Sequence, residues 1–224
     1  MPLIDKYIID KNGILGIWEI QESDEYYRDN LHLFPQEVKE LSQLSARKRT
    51  EWLASRYLLH ALSGKLDRTP CLKDKYGKPY LDDSEYHISM SHSHNRVAVI
   101  ASDDLCGIDI QIMVEKITRI SKKFCTAEEL AYIKPENQLK YFHFIWGAKE
   151  CMYKAYGKRG IDMRKNMQVD SFVIPKNNQI ITSGRLTLPE QSFNYSIHGK
   201  INNEFVLVYA LDVTDNDNNG KLQE

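Results

Sequence analysis

The sequence predicts an α+β protein made of two similar halves, and three observations carry that expectation. Each half runs strand, then helix, then a β-rich segment, with the changeover near Asp103. The stretch Tyr141-Phe-His-Phe-Ile-Trp146-Gly-Ala-Lys149-Glu150-Cys-Met-Tyr-Lys154-Ala-Tyr-Gly157 is a strongly patterned helix. The run Phe205-Val-Leu-Val-Tyr-Ala-Leu211 is apolar on both faces, as a central strand is. The expected architecture is a pseudo-two-fold pair, residues 1–102 and 103–211, with the ligand site in the groove between them and a flexible tail over 212–224.

Composition narrows the class. At 224 residues the chain can bury a sizeable core, as one large domain or as two ordinary ones. No uninterrupted apolar run reaches membrane-spanning length, which predicts a soluble protein with no membrane partner. Met1-Pro-Leu-Ile-Asp-Lys lacks the basic-then-apolar layout of a secretory signal, so a cytoplasmic location is expected. Cys71, Cys106, Cys125 and Cys151 are widely spaced and form no C-x-x-C pair, which fits buried free thiols in a reducing compartment. A net charge of −1 gives the whole chain no electrostatic reason to hold a nucleic acid. Local basic clusters exist at Arg47-Lys48-Arg49, Lys73-Lys75-Lys78, Arg119-Lys122-Lys123 and Lys158-Arg159. Singly each reads as a solvated surface; together they suit a phosphate-rich small molecule or an acidic protein partner.

Taken in order, Gly16-Ile-Trp-Glu-Ile20 alternates as a first strand. Pro35 to Leu62 turns helical in two pieces, the second opening on Ser45 as a capping residue and ended by Gly64. A turn-rich segment follows from Thr69-Pro70 to Tyr76-Gly77-Lys78-Pro79-Tyr80, in which Gly and Pro hold the backbone while the Lys amine is presented. Arg96 to Ala101 is a strand, Ser102-Asp-Asp104 its turn, and Cys106 to Ile112 the antiparallel return. Thr126-Ala-Glu-Glu is a capping box opening a helix that Pro135 closes. Phe172–Ile174, Gln179–Ile181, Phe193–Ile197 and Phe205–Leu211 read as strands.

Chemistry-bearing residues gather on two of these elements. In an extended Gly107 to Ile112, Ile108, Ile110 and Ile112 share one face while Asp109 and Gln111 share the other, about 7 Å apart. On the long helix, Tyr141, Ile145, Ala148, Met152, Ala155 and Tyr156 form the core stripe, and Trp146, Glu150 and Lys154 project from the opposite side. Glu150 and Lys154 read equally as an exposed i, i+4 ion pair or as working groups. A Trp on a plain solvated face is uncommon, so something covers that face. Asp109 and Glu150 are the oxygen donors Mg²⁺ accepts, with Gln111 able to ligate through its carbonyl or orient a water. Lys154, one turn beyond Glu150, would stabilise phosphate charge. His87-Ile-Ser-Met-Ser91-His92-Ser93-His94 offers donors to phosphate, though a hydrogen-bonded surface role serves equally well. No nucleophile elbow, P-loop or dinucleotide fingerprint is present.

These residues together resemble a known family, the 4′-phosphopantetheinyl transferases. Trp146-Gly-Ala-Lys149-Glu150-Cys-Met-Tyr-Lys154 is similar to its W-x-x-K-E-x-x-x-K signature, and Gly107-Ile-Asp109-Ile-Gln to its G-[IV]-D-[IVL]-E element. Tyr76-Gly77-Lys78-Pro79 resembles its Y-G-K-P, Ile88-Ser-Met-Ser91-His92-Ser93 its [IL]-S-x-S-H-S, and Ser55-Arg56-Tyr-Leu-Leu its helix with a ligand-binding Arg. The order matches too, from about Arg47 to Lys154, and the length is that of the two-halved, monomeric (Sfp-like) type.

The resemblance implies transfer of the 4′-phosphopantetheine arm of coenzyme A to a serine of an apo acyl or peptidyl carrier protein, with release of adenosine 3′,5′-bisphosphate. It implies Mg²⁺ as cofactor, held by Asp109 and Glu150 with Gln111 as third ligand where many relatives have Glu. It gives Asp109, Glu150 and Lys154 the catalytic roles, with Glu150, directly or through one water, taking the serine proton. It assigns Arg47, Arg56, Lys78, Ser91, His92 and Lys154 to coenzyme A, and leaves Lys149 to pair with a carboxylate. Two other functions use the same residues, namely a non-catalytic coenzyme A or carrier-protein binding module and a metal-dependent phosphohydrolase.

Overall fold

The computed structural model describes residues 3–9 and 13–214. The chain divides into two compact units, Met1–Asp103 and Asp104–Glu224. Each is an antiparallel sheet with one long helix packed against it, so each half is α+β as expected.

The first unit runs β1 (Leu3–Ile9), β2 (Gly13–Glu19), α1 (Asp24–Asn30), α2 (Pro35–Ser42), α3 (Ala46–Ser63), β3 (Cys71–Lys73), β4 (Pro79–Leu81), β5 (His87–Ser93) and β6 (Arg96–Ser102). Its six-stranded sheet has the order β1-β2-β6-β5-β4-β3. Leu53, Leu58 and Leu62 of α3 join Trp18 of β2 and Val97, Val99 and Ala101 of β6 in one buried cluster. Removing that apolar surface from water is what holds helix to sheet. Ser45 occupies the N-cap position of α3 with extended backbone, but its hydroxyl makes no capping hydrogen bond. Gly64 ends the helix in the left-handed conformation.

The second unit runs β7 (Cys106–Gln111), α4 (Lys116–Ile120), α5 (Ala127–Tyr132), α6 (Gln138–Tyr156), α7 (Met163–Asn166), β8 (Met167–Val169), β9 (Gln179–Thr187), β10 (Ser192–Ile201) and β11 (Val206–Asp212), in sheet order β7-β11-β10-β9-β8. Ile145, Ala148, Met152 and Ala155 of α6 are buried against Ile180, Ile197, Val206 and Val208 of the sheet. β11 lies between β7 and β10, which explains why its sequence is apolar on both faces. The capping box at Thr126 forms, with Thr126 N donating to Glu129 Oε2 at 2.8 Å and Glu129 N to Thr126 Oγ1 at 3.1 Å.

Three expectations need correction. Cys106–Gln111 is not the return strand of Arg96–Ser102. β6 is already flanked by β2 and β5, so it has no free edge, and β7 pairs with β11 instead. Phe172–Ile174 is not a strand: Phe172 is drawn into an aromatic cluster, stacked on Tyr141 at 4.9 Å, while Val173 is exposed. The expected tail begins too early, since β11 includes Asp212 and Val213 N donates to Asn194 O at 2.9 Å; residues 215–224 lie outside the described residues. Among the described residues no helix is long and apolar enough to cross a membrane.

Candidate active site

In the second unit, β7 and α6 touch backbone to backbone. A Cβ on Gly107 would stand 1.9 Å from Cys151 O, so only a residue without one lets the helix come this close. Gly107, Asp109 and Gln111 share one face of β7, by strand alternation. The close approach at Gly107 therefore brings Asp109, two residues on, beside the outward side of α6, where Glu150 and Lys154 stand.

Lys154 closes the gap directly. Its Nζ donates to Asp109 Oδ1 at 2.9 Å and to the Ile108 carbonyl at 2.7 Å. Burial pulls the Lys154 amine down, but the Asp109 charge and hydrogen bond outweigh it and hold the amine above its usual range. Glu150 behaves in the opposite sense. Burial raises its carboxyl first, the Asp109 charge raises it further, and Lys154 offsets only part. The buried Asp109 and the half-buried Glu150 thus repel one another, with the Lys154 ammonium bonded to Asp109. Both carboxylates are hard oxygen donors of the kind a small divalent cation accepts. Among the described residues no group of three or more His, Cys, Asp or Glu that could hold a metal ion assembles.

Gln111, expected as a third metal ligand, stands in a hydrogen-bond network between Asp109 and His143. Its Nε2 donates to Asp109 Oδ2 at 3.0 Å and to the His143 carbonyl at 3.2 Å, which turns its own Oε1 towards His143 Nδ1 at 2.8 Å. The one oxygen of this side-chain amide thus faces the imidazole. His143 went unnoticed in the sequence because it sits at a buried position of α6 amid aromatic residues.

Two other signature residues of α6 are structural. Lys149 is fully buried, and its Nζ donates to Glu129 Oε2 at 2.8 Å, Phe124 O at 2.7 Å, Met167 O at 2.9 Å and Met163 O at 3.1 Å. Glu129 is thereby the carboxylate that Lys149 was expected to find. Trp146 is covered by Phe124, edge to face with centroids 5.1 Å apart.

In the first unit, Arg47 and His92 come together through a residue the sequence reading missed. Glu51, one turn after Arg47 on α3, sets Oε1 3.3 Å from Arg47 Nε and Oε2 3.2 Å from His92 Nδ1 on β5. The i, i+4 spacing of Arg47 and Glu51 was the available signal. Ser91 lies buried on β5, opposite Ala98 of β6. Lys78 follows a turn in which Asp74 Oδ1 accepts from the backbone N–H of Tyr76 at 2.8 Å and of Lys78 at 2.9 Å, and Gly77 takes a φ of 93°. Arg56 is 3% exposed, with its guanidinium 3.5 Å over the Trp52 ring and 3.7 Å from Glu40. It also borders a cavity of about 420 Å³ with Leu59, Arg68, Leu81 and Tyr86.

Comparison with known proteins places these residues in context. Residues 105–210, the segment holding Asp109, Gln111, His143, Glu150 and Lys154, match the 4′-phosphopantetheinyl transferase superfamily. The 4′-phosphopantetheinyl transferase gsp of Aneurinibacillus migulanus is 30% identical over 130 residues, 57% of this chain and 52% of its own length. A 4′-phosphopantetheinyl transferase of Bacillus subtilis is 31% identical over 104 residues, and the Sfp enzyme of Bacillus subtilis strain 168 is 33% identical over 105, each match covering 45% of this chain and 44% of the relative. The chain therefore spans about half the length of the curated relatives it matches.

Proposed function

We propose that this chain, a member of the 4′-phosphopantetheinyl transferase superfamily through residues 105–210, transfers the phosphopantetheine arm of coenzyme A to a serine of an apo carrier protein. The observation that carries this reading is the meeting of Asp109 on β7 with Glu150 and Lys154 on α6, inside the matched segment.

In the reaction, the serine oxygen attacks the phosphorus that carries the pantetheine arm. A new phosphorus–oxygen bond forms, the bond from that phosphorus to the bridging oxygen of the diphosphate breaks, and adenosine 3′,5′-bisphosphate leaves. The serine proton passes to Glu150, directly or through one water; a carboxyl raised by burial is a better acceptor than a solvated one once it is ionised. Lys154 keeps Asp109 aligned and lends positive charge beside the breaking bond. Asp109 and Glu150 would hold Mg²⁺, which when bound offsets the charge on the diphosphate oxygens. In the first unit this reading assigns Arg47, Arg56, Lys78, Ser91 and His92 to coenzyme A. Exposed Arg119, Lys122 and Lys123 are suited to an acidic carrier surface. The four free, buried cysteines favour a reducing, cytoplasmic setting, and we take the single chain as the working unit.

The test is direct. Apo carrier protein, coenzyme A and Mg²⁺ are mixed with the protein and the carrier is weighed by mass spectrometry. A mass gain of one phosphopantetheine arm supports transfer. Coenzyme A binding without that gain supports a binding module, and coenzyme A breakdown without carrier supports a hydrolase; either outcome ends the transfer reading.

A further inference from the structure

We infer that His143 and Gln111 form a lock that positions the Asp109 carboxylate, so that Gln111 serves the site from outside the metal's ligand set. The inference deepens the transfer reading and rests on it for the identity of the ion. Its premises are hydrogen bonds, and two of them fix the lock from opposite ends.

From one end, both neighbours of Gln111 Nε2 are oxygens that can only accept, Asp109 Oδ2 at 3.0 Å and His143 O at 3.2 Å. Rotating the amide by half a turn would set its oxygen against two other oxygens and leave the nitrogen facing His143. The amide orientation is therefore dictated by its partners. From the other end, the Val114 backbone N–H donates to His143 Nε2 at 2.9 Å. The Val114 carbonyl is also near, but at 3.2 Å, and the shorter contact leaves Nε2 without a proton. The imidazole proton then resides on Nδ1 and is donated to Gln111 Oε1 at 2.8 Å.

The chain of donors runs Val114 N–H to His143, His143 to Gln111, and Gln111 to Asp109. Every polar atom of the Gln111 side chain is used in it, and His143 is 1% exposed, so water does not compete for the link. With Lys154 on Oδ1 and Gln111 on Oδ2, the plane of the Asp109 carboxylate is held from both sides. A glutamate at position 111 could not reproduce this, because it has no N–H to give to Asp109 or to the His143 carbonyl. The glutamine found here is thus matched to the histidine one strand-to-helix contact away.

The experiment is a double-mutant cycle on magnesium binding. The protein without coenzyme A is melted at increasing Mg²⁺ for wild type, Gln111→Met, His143→Leu and the double variant, and the Mg²⁺ giving half the maximal rise in melting temperature is read. Loss of a group that orients a ligand typically weakens metal binding by about 10-fold or more. We expect each single variant to raise the half-point by about 10-fold and the double variant by no more than either alone, since both break one link. His143→Asn, whose amide nitrogen can stand where Nδ1 stood, should recover most of the loss; a merely space-filling His143 would not be rescued by a smaller polar residue. A larger loss for Gln111→Met than for His143→Leu, with independent losses in the double variant, would mean Gln111 ligates the ion and would overturn the inference. So would a wild type whose melting ignores Mg²⁺. If His143→Leu fails to fold, His143→Phe, which likewise has no donor to give Gln111, takes its place in the same cycle. Carrier mass gain is scored separately, so loss of transfer with the cycle intact counts against the function and leaves the lock standing.

Discussion

The imidazole of His92 meets the carboxylate of Glu51, Nδ1 to Oε2 at 3.2 Å, and the same carboxylate receives Arg47 Nε at 3.3 Å. The carboxylate is 7% exposed whereas the Arg47 and His92 side chains are 76% and 57% exposed, so a buried anion anchors two groups that face water. Their positions are set from below while their outer donors remain available to an anionic ligand.

Glu51→Gln tests this anchoring. The variant keeps the shape but removes the charge that holds His92 and Arg47. With both partners largely solvated, the expected loss is about 1 kcal/mol, a rise of roughly 5-fold in KM for coenzyme A with kcat little changed. Steady-state transfer kinetics at varied coenzyme A measure it. An unchanged KM would remove Arg47 and His92 from the coenzyme A site.

Glu150 gives a prediction with opposite signs for stability and activity. Its folded-state carboxyl is raised by burial and by Asp109, so the fold favours the protonated form. The stability it contributes is complete below its unfolded value of about 4.3 and is lost as pH rises through the higher folded value. At pH 7 without metal the ionised group is a cost. Glu150→Gln should therefore raise the metal-free melting temperature at neutral pH, flatten the fall in stability as pH rises above the unfolded value, and abolish transfer. Thermal melts across pH in a chelating buffer check the first two, and carrier mass the third. A lower metal-free melting temperature would contradict the assigned repulsion.

Lys149 belongs to the signature but should behave as a structural residue. It places an ammonium in a fully buried site with Glu129, whose other oxygen accepts from Val169 N at 2.8 Å. Lys149→Ala leaves Glu129 buried and unpaired, a change that costs about 3–5 kcal/mol and lowers the melting temperature by about 10 °C. Lys149→Met with Glu129→Gln together should recover much of that loss, because neither charge is then stranded. Differential scanning calorimetry compares the single and double variants; a single variant that melts like wild type would show the pair to be dispensable.

What the sequence revealed and what it hid follow from the range of the forces involved. Helix α6 was legible because its stripe and Gly157 act locally, and Asp109 and Glu150 because signature spacing marks them. The partner of β7 was hidden: three residues separate it from β6, a hairpin-like distance, but the ladder is chosen by which edges remain free. β1 was missed because it pairs with β2 alone and alternates weakly, and α1 because seven residues hold too few apolar positions for a period to show. His143 and Glu51 were hidden for another reason. Each gains its meaning from a partner on a distant segment, Gln111 and His92 respectively, and no spacing rule links them.

Gly107 supplies the last prediction, because the site depends on how closely α6 approaches β7. An alanine there would set its Cβ 1.9 Å from Cys151 O and 2.7 Å from the Cys151 carbonyl carbon. These are backbone atoms of the helix centre, which cannot rotate away as a side chain would. Either α6 moves outward or the strand bends, and both separate Asp109 from Lys154 and Glu150. Overpacking of this kind costs about 1–3 kcal/mol or more. Gly107→Ala should therefore lower the melting temperature by several degrees and reduce transfer by far more than the stability loss explains, at a temperature where the variant remains folded. Circular dichroism melts paired with the carrier mass assay separate the two effects. A variant that is destabilised yet fully active would mean that the helix can withdraw without disturbing the acids, and that their alignment does not depend on the contact at residue 107.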